Sequence, residues 1–340
     1  MEPWYPRCPP AFGLTSPVRA GAEGGPTPDE TRGPRWRAPS HGLHVPARVD
    51  LTVEQRIVEA GARLPARGMV TGWAALRLAG AAYFEGRQRD VPVLLPHASR
   101  IRAPGVEVRR TRLPLPAPQL RYGVPCAPLA VALVHELRLE RDLRELVVMI
   151  EMALLARVVT REEVRQVLES TRRMHTRHFD ALDLATGECR SAPEVRMMLT
   201  WLLDARFGKP LMNREVLDLD GRLLAVVDLL DVESGSYGEY DGEEHRKRAR
   251  HRRDVQRAEV LRDVGLEGFT IVAGDSVDVQ VRRMAAARRR ALWLPERERR
   301  WRVGKHAPMK SLMRPLTSEE SELLRLEGMP PDDGWGTESG

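Results

Sequence analysis

Residues 223–241 read LLAVVDLLDVESGSYGEYD and decide the fold of the segment around them. Asp228 interrupts an apolar run in the first half, and Glu239 and Asp241 close the second half. We expect both halves to be β-strands, and because strand side chains alternate between faces, Glu239 and Asp241 share a face. A carboxylate inside an apolar strand is costly to bury unless a charged group pairs with it. The stretch therefore predicts acids that converge from neighbouring strands.

Converging carboxylates are ligands for hard cations such as Mg²⁺ or Mn²⁺. We interpret Asp228, Glu239 and Asp241 as candidate metal ligands and candidate catalytic residues. Glu194, in the first turn of an upstream helix, joins them as a candidate catalytic residue if that helix packs across the sheet. His245 is another candidate because imidazole titrates near neutrality. With Mg²⁺ bound, such a site would polarise a phosphodiester oxygen and help to deprotonate an attacking water.

A basic helix is predicted at about 246–264. Arg253 and Arg257 are four residues apart, share a helix face and suit phosphate oxygens. Asp254 lies between them and could orient an arginine or join the site. The candidate phosphate-binding residues are Lys247, Arg250, Arg253 and Arg257.

Each candidate also has a purely structural interpretation. Ser191 and Glu194 have the spacing of a capping box, which alone would explain Glu194. Glu239 and Asp241 could be turn residues because Asp-Gly is a common turn pair. His245 could be a surface histidine, and the basic helix could be a solvated face. At this level both interpretations stay open.

Around this stretch, residues 186–290 show the order helix, hairpin, strand, helix, strand, helix. Asp220-Gly221 predicts a two-residue hairpin turn, Gly265 predicts the end of the basic helix, and Asp275 predicts a cap for the last helix. This order fits a small mixed α/β sheet flanked by helices. We therefore predict an α+β or α/β fold for this part of the chain.

The rest of the chain predicts three further segments. Residues 1–50 are rich in Pro, Gly and Arg and are expected to be largely loose, apart from a wing-like hairpin. Residues 51–180 predict an α+β module with strands at 91–95 and 106–111 and with helices at 127–139 and 142–158. Thr160 and Glu163 form a capping box that starts another helix. Residues 305–340 predict a disordered tail.

Bulk properties favour an intracellular, nucleic-acid-binding protein. The net charge of +6 suits a polyanionic partner, although Arg-rich composition alone can produce it. Cys8, Cys126 and Cys189 lie far apart and show no CxxC spacing, so neither disulfides nor a thiolate zinc site is indicated. No apolar run approaches about 20 residues and no secretory leader is apparent, so we expect a cytoplasmic protein without a membrane span.

The motifs of residues 188–280 together resemble a domain related to the very-short-patch-repair endonucleases, within the PD-(D/E)XK nuclease-like superfamily. The matching elements are Ser191-x-x-Glu194-x-Arg196, Val227-Asp228, Glu239-Tyr240-Asp241-Gly242-x-x-His245, Arg253-Asp254-x-x-Arg257, Leu261 and Gly265. The resemblance implies a restriction-endonuclease-like sheet and a Mg²⁺-dependent endonuclease that hydrolyses phosphodiester bonds in DNA. The superfamily's third motif usually ends in a lysine, where this chain has Asp241; the related endonucleases use histidines and acids instead.

Two segments near the N-terminus resemble the wing of the small winged-helix module found in AbiEi-type antitoxins. They are Gly33-Pro34-Arg35-Trp36-Arg37 and Gly42-Leu43-His44-Val45-Pro46-Ala47. Little room precedes them for a recognition helix, so the resemblance implies a degenerate winged helix. The alternative function is then a non-catalytic DNA-binding regulator or antitoxin whose partner is a cognate toxin. A third interpretation is an inactive nuclease fold kept as an interaction scaffold.

Overall fold

The computed structural model describes residues 4–99, 101, 104–241 and 248–326, with the main chain alone for 248–255. These residues form a mixed α+β structure, in agreement with the α+β class that the sequence predicts. The strands are, in chain order, β1 (Val18–Arg19), β2 (Trp36–Ser40), β3 (Leu43–Pro46), β4 (Met69–Val70), β5 (Val91–Pro96), β6 (Val106–Thr111), β7 (Gln119–Arg121), β8 (Val124–Cys126), β9 (Leu211–Leu217), β10 (Leu223–Asp231), β11 (Ser236–Asp241), β12 (Glu267–Val272) and β13 (Arg302–His306). The helices are α1 (Val53–Gly61), α2 (Gly72–Leu78), α3 (Leu129–Leu137), α4 (Leu143–Leu155), α5 (Arg161–Ser170), α6 (Thr176–Leu184), α7 (Ala192–Leu199), α8 (Arg248–Asp263), α9 (Val277–Arg290) and α10 (Ser318–Leu326).

The chain divides into two compact units. Unit C consists chiefly of Asp142–Leu155 and Asp183–Lys310, and unit N consists of Tyr5–Arg141, Ala156–Leu182 and the residues from Ser311 onward. Helix α4 therefore belongs to unit C, although the sequence groups it with 51–180. Two ion pairs tie α4 to unit C: Arg144 to Asp204 at 2.7 Å and Glu145 to Arg196 at 3.0 Å.

Unit C is built on a five-stranded sheet with the strand order β12-β11-β10-β9-β13. Strand β10 runs antiparallel to both of its neighbours, β9 and β11, and β13 runs antiparallel to β9. Strand β12 is parallel to β11, and helix α8 makes the connection between these two. The succession α7, β9, β10, β11, α8, β12, α9 is the order of elements that the sequence predicts for 186–290.

Short-range chemistry explains the turns and helix ends of unit C. The β9–β10 loop closes between Asp218 and Arg222, whose amide donates to Asp218 Oδ1 at 2.8 Å, and Gly221 adopts a left-handed φ of +83°. The loop is thus one residue longer than the predicted two-residue turn. Gly265, at φ +94°, ends α8 as predicted. Ser276 rather than Asp275 caps α9, because the Asp275 carboxylate accepts a bond from the Val272 amide at 2.7 Å.

Each face of this sheet has its own core. On one face Tyr237 packs with Val227 and with Leu261 of α8 in a buried apolar cluster. Gly238, the next residue on β11, belongs to the opposite face by strand alternation. There the ring of Phe269 stacks on Trp201 with centroids 5.9 Å apart and leaves no room for a side chain at Gly238. Helices α7 and α9 also contact β11, so helices cover this strand.

Unit N contains a five-stranded sheet, β6-β5-β4-β8-β7, and a separate three-stranded sheet, β1-β3-β2. Strands β5 and β6 and helix α3 confirm the elements predicted at 91–95, 106–111 and 127–139, and α4 confirms the helix predicted at 142–158. The capping box of Thr160 and Glu163 is also present. Thr71 precedes α2 without capping it, because its hydroxyl bonds His135 Nδ1 at 2.7 Å instead.

The two ends of the chain carry more regular structure than the sequence suggests. The predicted hairpin is β2 with β3, and β1 extends it to a sheet within residues 1–50. Helix α10 lies within the range predicted to be a disordered tail, and β13 overlaps its first two residues. Thr317 and Glu320 form reciprocal capping bonds of 2.8 and 3.2 Å at the start of α10. Residues 327–340 lie outside the described residues. None of the described helices has the length and apolar character needed to cross a bilayer.

Candidate functional site

Asp228 stands where the pairing of β10 with β11 stops. The two strands pair at Asp231↔Ser236, Leu230↔Tyr237 and Leu229↔Gly238. Beyond this point the main-chain amide of Tyr240 donates to Asp228 Oδ2 at 2.9 Å, so a side chain replaces the main-chain acceptor. The carboxylate thus has a structural role, and it also lies at the point where two central strands part.

Glu194 is buried in the first turn of α7, with only 8% of the residue exposed. Its Oε1 accepts a bond from the Ser191 hydroxyl at 2.9 Å, and the Glu194 amide donates back to that hydroxyl at 3.4 Å. Its Oε2 accepts bonds of 2.8 Å from the Arg190 amide and from Asn213 Nδ2. The capping interaction predicted for Ser191 and Glu194 is therefore present. Together with the bond from Asn213, it holds the Glu194 side chain toward the sheet.

The charges of Glu194 and Asp228 interact unfavourably. Burial raises the pKa of Glu194, and the charge of Asp228 raises it further, against the hydrogen bonds from Asn213, Arg190 and Ser191. Burial also raises the pKa of Asp228, against the Tyr240 amide and the positive charges of Arg190 and Arg257. The hydrogen bonds and positive charges around the two acids therefore only partly offset the cost of burying their negative charges. Acids in such unfavourable surroundings are common in functional sites.

Glu239 lies on β11 and forms an ion pair with Arg257 of α8. Strand alternation puts Glu239 on the same face as Tyr237, which packs against Leu261 one helical turn beyond Arg257. Arg257 therefore stands between two acids, paired with Glu239 and acting electrostatically on Asp228. This arrangement joins β10, β11 and α8 in one charged network.

Asp241 is the other predicted acid that the structure describes, and it does not join this network. Asp241 is exposed at the end of β11, where its main-chain carbonyl accepts a bond of 3.2 Å from the Ala273 amide. His245 and Lys247 lie outside the described residues. Arg250, Arg253 and Asp254 lie on α8, but only their main chain is described. Across the described side chains, no three His, Cys, Asp or Glu residues come close enough together to hold a metal ion.

Sequence reasoning missed two residues of the site, Arg190 and Asn213. Arg190 adds a positive charge beside both Glu194 and Asp228, and its guanidinium is anchored by the carbonyls of Ala307 and Pro308. Its position directly before the Ser191 cap is the only local signal for it. Asn213 is a polar residue in the otherwise apolar start of β9, the same type of signal that singles out Asp228.

The wing-like hairpin is the second predicted interface, and acids accompany its arginines. Arg35 pairs with Glu30 at 3.0 Å, and Arg37 donates two bonds of 2.6 and 2.9 Å to the buried carboxylate of Glu59. Because exposed ion pairs are weak, Arg35 can exchange Glu30 for a phosphate, whereas Arg37 is held in the protein. The hairpin therefore offers less free positive charge than its sequence suggests.

Comparison of the chain with protein-family models, with curated proteins and with solved structures finds no match.

Proposed function

We propose that unit C is a restriction-endonuclease-like domain, related to the very-short-patch-repair endonucleases, that hydrolyses DNA with a divalent metal. The observation that carries the proposal is the link between Glu194 on α7 and Asp228 on β10: Asn213 bonds Glu194 Oε2 at 2.8 Å and lies opposite Asp228 in the strand register. These two acids raise the local negative charge at the point where β10 and β11 part. Glu239 follows on the neighbouring strand, in the order that the resemblance to PD-(D/E)XK nucleases implies.

The donor set fits a hard divalent cation. Carboxylate oxygens are the ligands that Mg²⁺ and Mn²⁺ prefer, and a cation between Glu194 and Asp228 would offset their repulsion. Asp228 and Glu194 would hold the metal, and Glu239 would join them on release from Arg257. When bound, Mg²⁺ supplies charge stabilisation to a phosphodiester oxygen and lowers the pKa of an attacking water.

The arginines of the network have a separate role in the proposal. Arg257 lies on α8 between Glu239 and Asp228, and its guanidinium can exchange the carboxylate of Glu239 for two phosphate oxygens. Arg190 is fixed by two carbonyls and contributes a permanent positive charge beside the acids. A phosphate that approaches the acids therefore meets one movable and one fixed cation, which orient it and reduce repulsion.

Plasmid nicking tests this proposal directly. We expect the wild-type protein to nick supercoiled plasmid only with Mg²⁺ or Mn²⁺, and Asp228→Asn to reduce the rate by about a hundred-fold or more. The matched control is Asp220→Asn, the same chemical change at an exposed turn position of the same sheet, which should keep the wild-type rate. Absence of metal-dependent cleavage, or cleavage that survives Asp228→Asn, contradicts the endonuclease function.

A DNA-binding regulator of antitoxin type is the second candidate, and one observation favours it. The hairpin of β2 and β3 lies where the resemblance to AbiEi-type antitoxins places the wing of a degenerate winged helix. This function predicts DNA binding that weakens with salt and survives Asp228→Asn. Binding should fall in an Arg35→Gln, Arg48→Gln variant, which neutralises the arginine before β2 and an exposed arginine two residues after β3. Mobility shifts of the three full-length proteins at two salt concentrations separate this function from the first. Binding unaffected by the hairpin changes contradicts it.

A further inference from the structure

Asn213 is the only asparagine in the 340 residues, and it is completely buried in β9. It lies between the pairs Arg214↔Val227 and Met212↔Leu229, so it stands directly opposite Asp228 in the antiparallel register. Its φ of +49° is left-handed, a conformation that asparagine tolerates better than most residues with a side chain. An apolar residue would suit the flanking strand better, so the amide requires a specific explanation.

The hydrogen bonds of Asn213 fix the orientation of its amide. Nδ2 donates to Glu194 Oε2 at 2.8 Å and to the carbonyl of Glu188 at 2.9 Å, which uses both of its hydrogens. Both of these partners are acceptors, so the opposite assignment of the amide would face oxygen with oxygen. Oδ1 is therefore the remaining atom, and it is buried without a hydrogen-bond partner among the described residues.

A buried carbonyl oxygen without a donor is rare and costly, and it indicates a missing partner. The candidates are a donor such as water and a cation. The surroundings favour a cation: Glu194 bonds the same amide, Asp228 is opposite, and the charges of these two acids repel each other. Among the described residues no third acid, histidine or cysteine completes a metal site with these two acids. The amide oxygen of Asn213 would therefore supply a further ligand that the two acids alone lack.

We propose that Asn213 Oδ1 is a neutral oxygen ligand of the cation site formed with Asp228 and Glu194. This inference rests on the proposed function and adds a specific residue to it. Hard cations accept amide carbonyls together with carboxylates, and a neutral ligand adds coordination without adding repulsion. Asn213 then has two linked roles, since its Nδ2 positions Glu194 while its Oδ1 faces the cation.

Titration of Mn²⁺ alone into the full-length protein, followed by calorimetry, tests this ligand. We expect Asn213→Ala to weaken Mn²⁺ binding by about ten-fold or more, as loss of metal-site partners commonly does. Asn213→Asp keeps an oxygen of the same size but loses the amide donor to Glu194. If Oδ1 is a ligand, Asn213→Asp binds Mn²⁺ at least as tightly as the wild type. If Asn213 only positions Glu194, this variant binds as weakly as Asn213→Ala.

Two controls make each outcome decisive. Asp220→Asn should bind Mn²⁺ like the wild type, and near-UV circular dichroism shows whether each variant is folded. If Asn213→Ala does not fold, the comparison of Asn213→Asp with the wild type decides the matter. Mn²⁺ binding that is lost in Asp228→Asn but unchanged in Asn213→Ala overturns the inference and leaves the proposed function standing. A wild-type protein that binds no Mn²⁺ and cleaves no DNA overturns both.

Discussion

Glu151 of α4 and Glu194 of α7 are both buried acids on helices of unit C, but their surroundings differ in charge. Glu151 is fully buried, and its carboxylate accepts bonds from the main-chain amides of Thr186 and Gly187 and from the Thr186 hydroxyl. All of these partners are donors. Folding therefore surrounds the Glu151 carboxylate with main-chain and hydroxyl donors.

Glu194 has three donors as well, but it also has the like charge of Asp228 nearby. Hydrogen bonds alone therefore do not separate a structural acid from a candidate site. The difference is that the Glu194 and Asp228 region carries negative charge that the surrounding groups leave incompletely neutralised. A bound proton or cation can offset this charge.

The largest expected effect is on stability, at Glu151. Glu151→Ala removes the shared acceptor of the part-buried bonds from the amides of Thr186 and Gly187 and from the Thr186 hydroxyl. Because Glu151 is itself fully buried and three hydrogen bonds to its carboxylate are lost at about 1 kcal/mol each, the free energy of unfolding should fall by about 3 kcal/mol. Urea titration followed by circular dichroism measures it. The control is Glu296→Ala at an exposed position, expected within about 0.5 kcal/mol of the wild type. A loss of less than about 1 kcal/mol at Glu151 would remove the contrast between the two acids.

A smaller change in stability is expected for Asp228→Asn, and it is an increase rather than a loss. Burial raises the pKa of Asp228 and of Glu194, so the folded protein binds these protons more tightly than the unfolded chain does. The contribution of both groups to stability is therefore complete below the ordinary carboxyl pKa of about 4 and is lost as pH rises through the raised values. Asp228→Asn removes one of the two charges. Its metal-free form should be more stable than the wild type at pH 7 by about 0.5–2 kcal/mol.

Urea titrations at pH 4 and pH 7, with and without Mn²⁺, check this prediction. The advantage of Asp228→Asn should shrink at pH 4, where the wild-type acids gain protons, and saturating Mn²⁺ should reverse the order at pH 7. Asn keeps an oxygen that can accept the Tyr240 amide, so this substitution isolates the charge. A metal-free variant that is less stable than the wild type at pH 7 would show that Asp228 is a structural acid like Glu151.

The sequence predicts the strands and helices that carry the site better than it predicts the contacts between the residues of the site. Alternation, the apolar run around Asp228 and the glycine at 265 depend on neighbours in the chain, and the strands and the helix end follow as expected. The site itself depends on register. Asn213 faces Asp228 only because of how β9 pairs with β10, and Arg190 reaches the acids only because carbonyls near β13 anchor it. Such long-range pairings leave no periodic signal in the sequence.

Strand alternation also shows why the predicted acids divide. Glu239 and Asp241 share a face by spacing, as the sequence indicates, yet the described side chains of α8, residues 256–263, form an ion pair with Glu239 and none with Asp241. Asp241 is at the strand end, where solvent replaces protein contacts. The two-residue spacing predicts which face of the sheet the two acids share. It does not predict how far each acid is buried, because burial depends on where α8 begins to cover the sheet.

The smallest expected effect belongs to Arg257, whose side chain is 35% exposed and whose partner Glu239 is 25% exposed. Arg257→Gln should cost only about 0.2–1 kcal/mol of stability, because partly exposed ion pairs contribute little. If Arg257 instead binds phosphate, the same change should lower the slope of log affinity against log salt by about 1 in DNA-binding titrations. Arg282→Gln, at an exposed position of α9, is the matched control. An unchanged slope in Arg257→Gln would assign Arg257 to Glu239 alone, as a fixed structural partner comparable to the donors around Glu151.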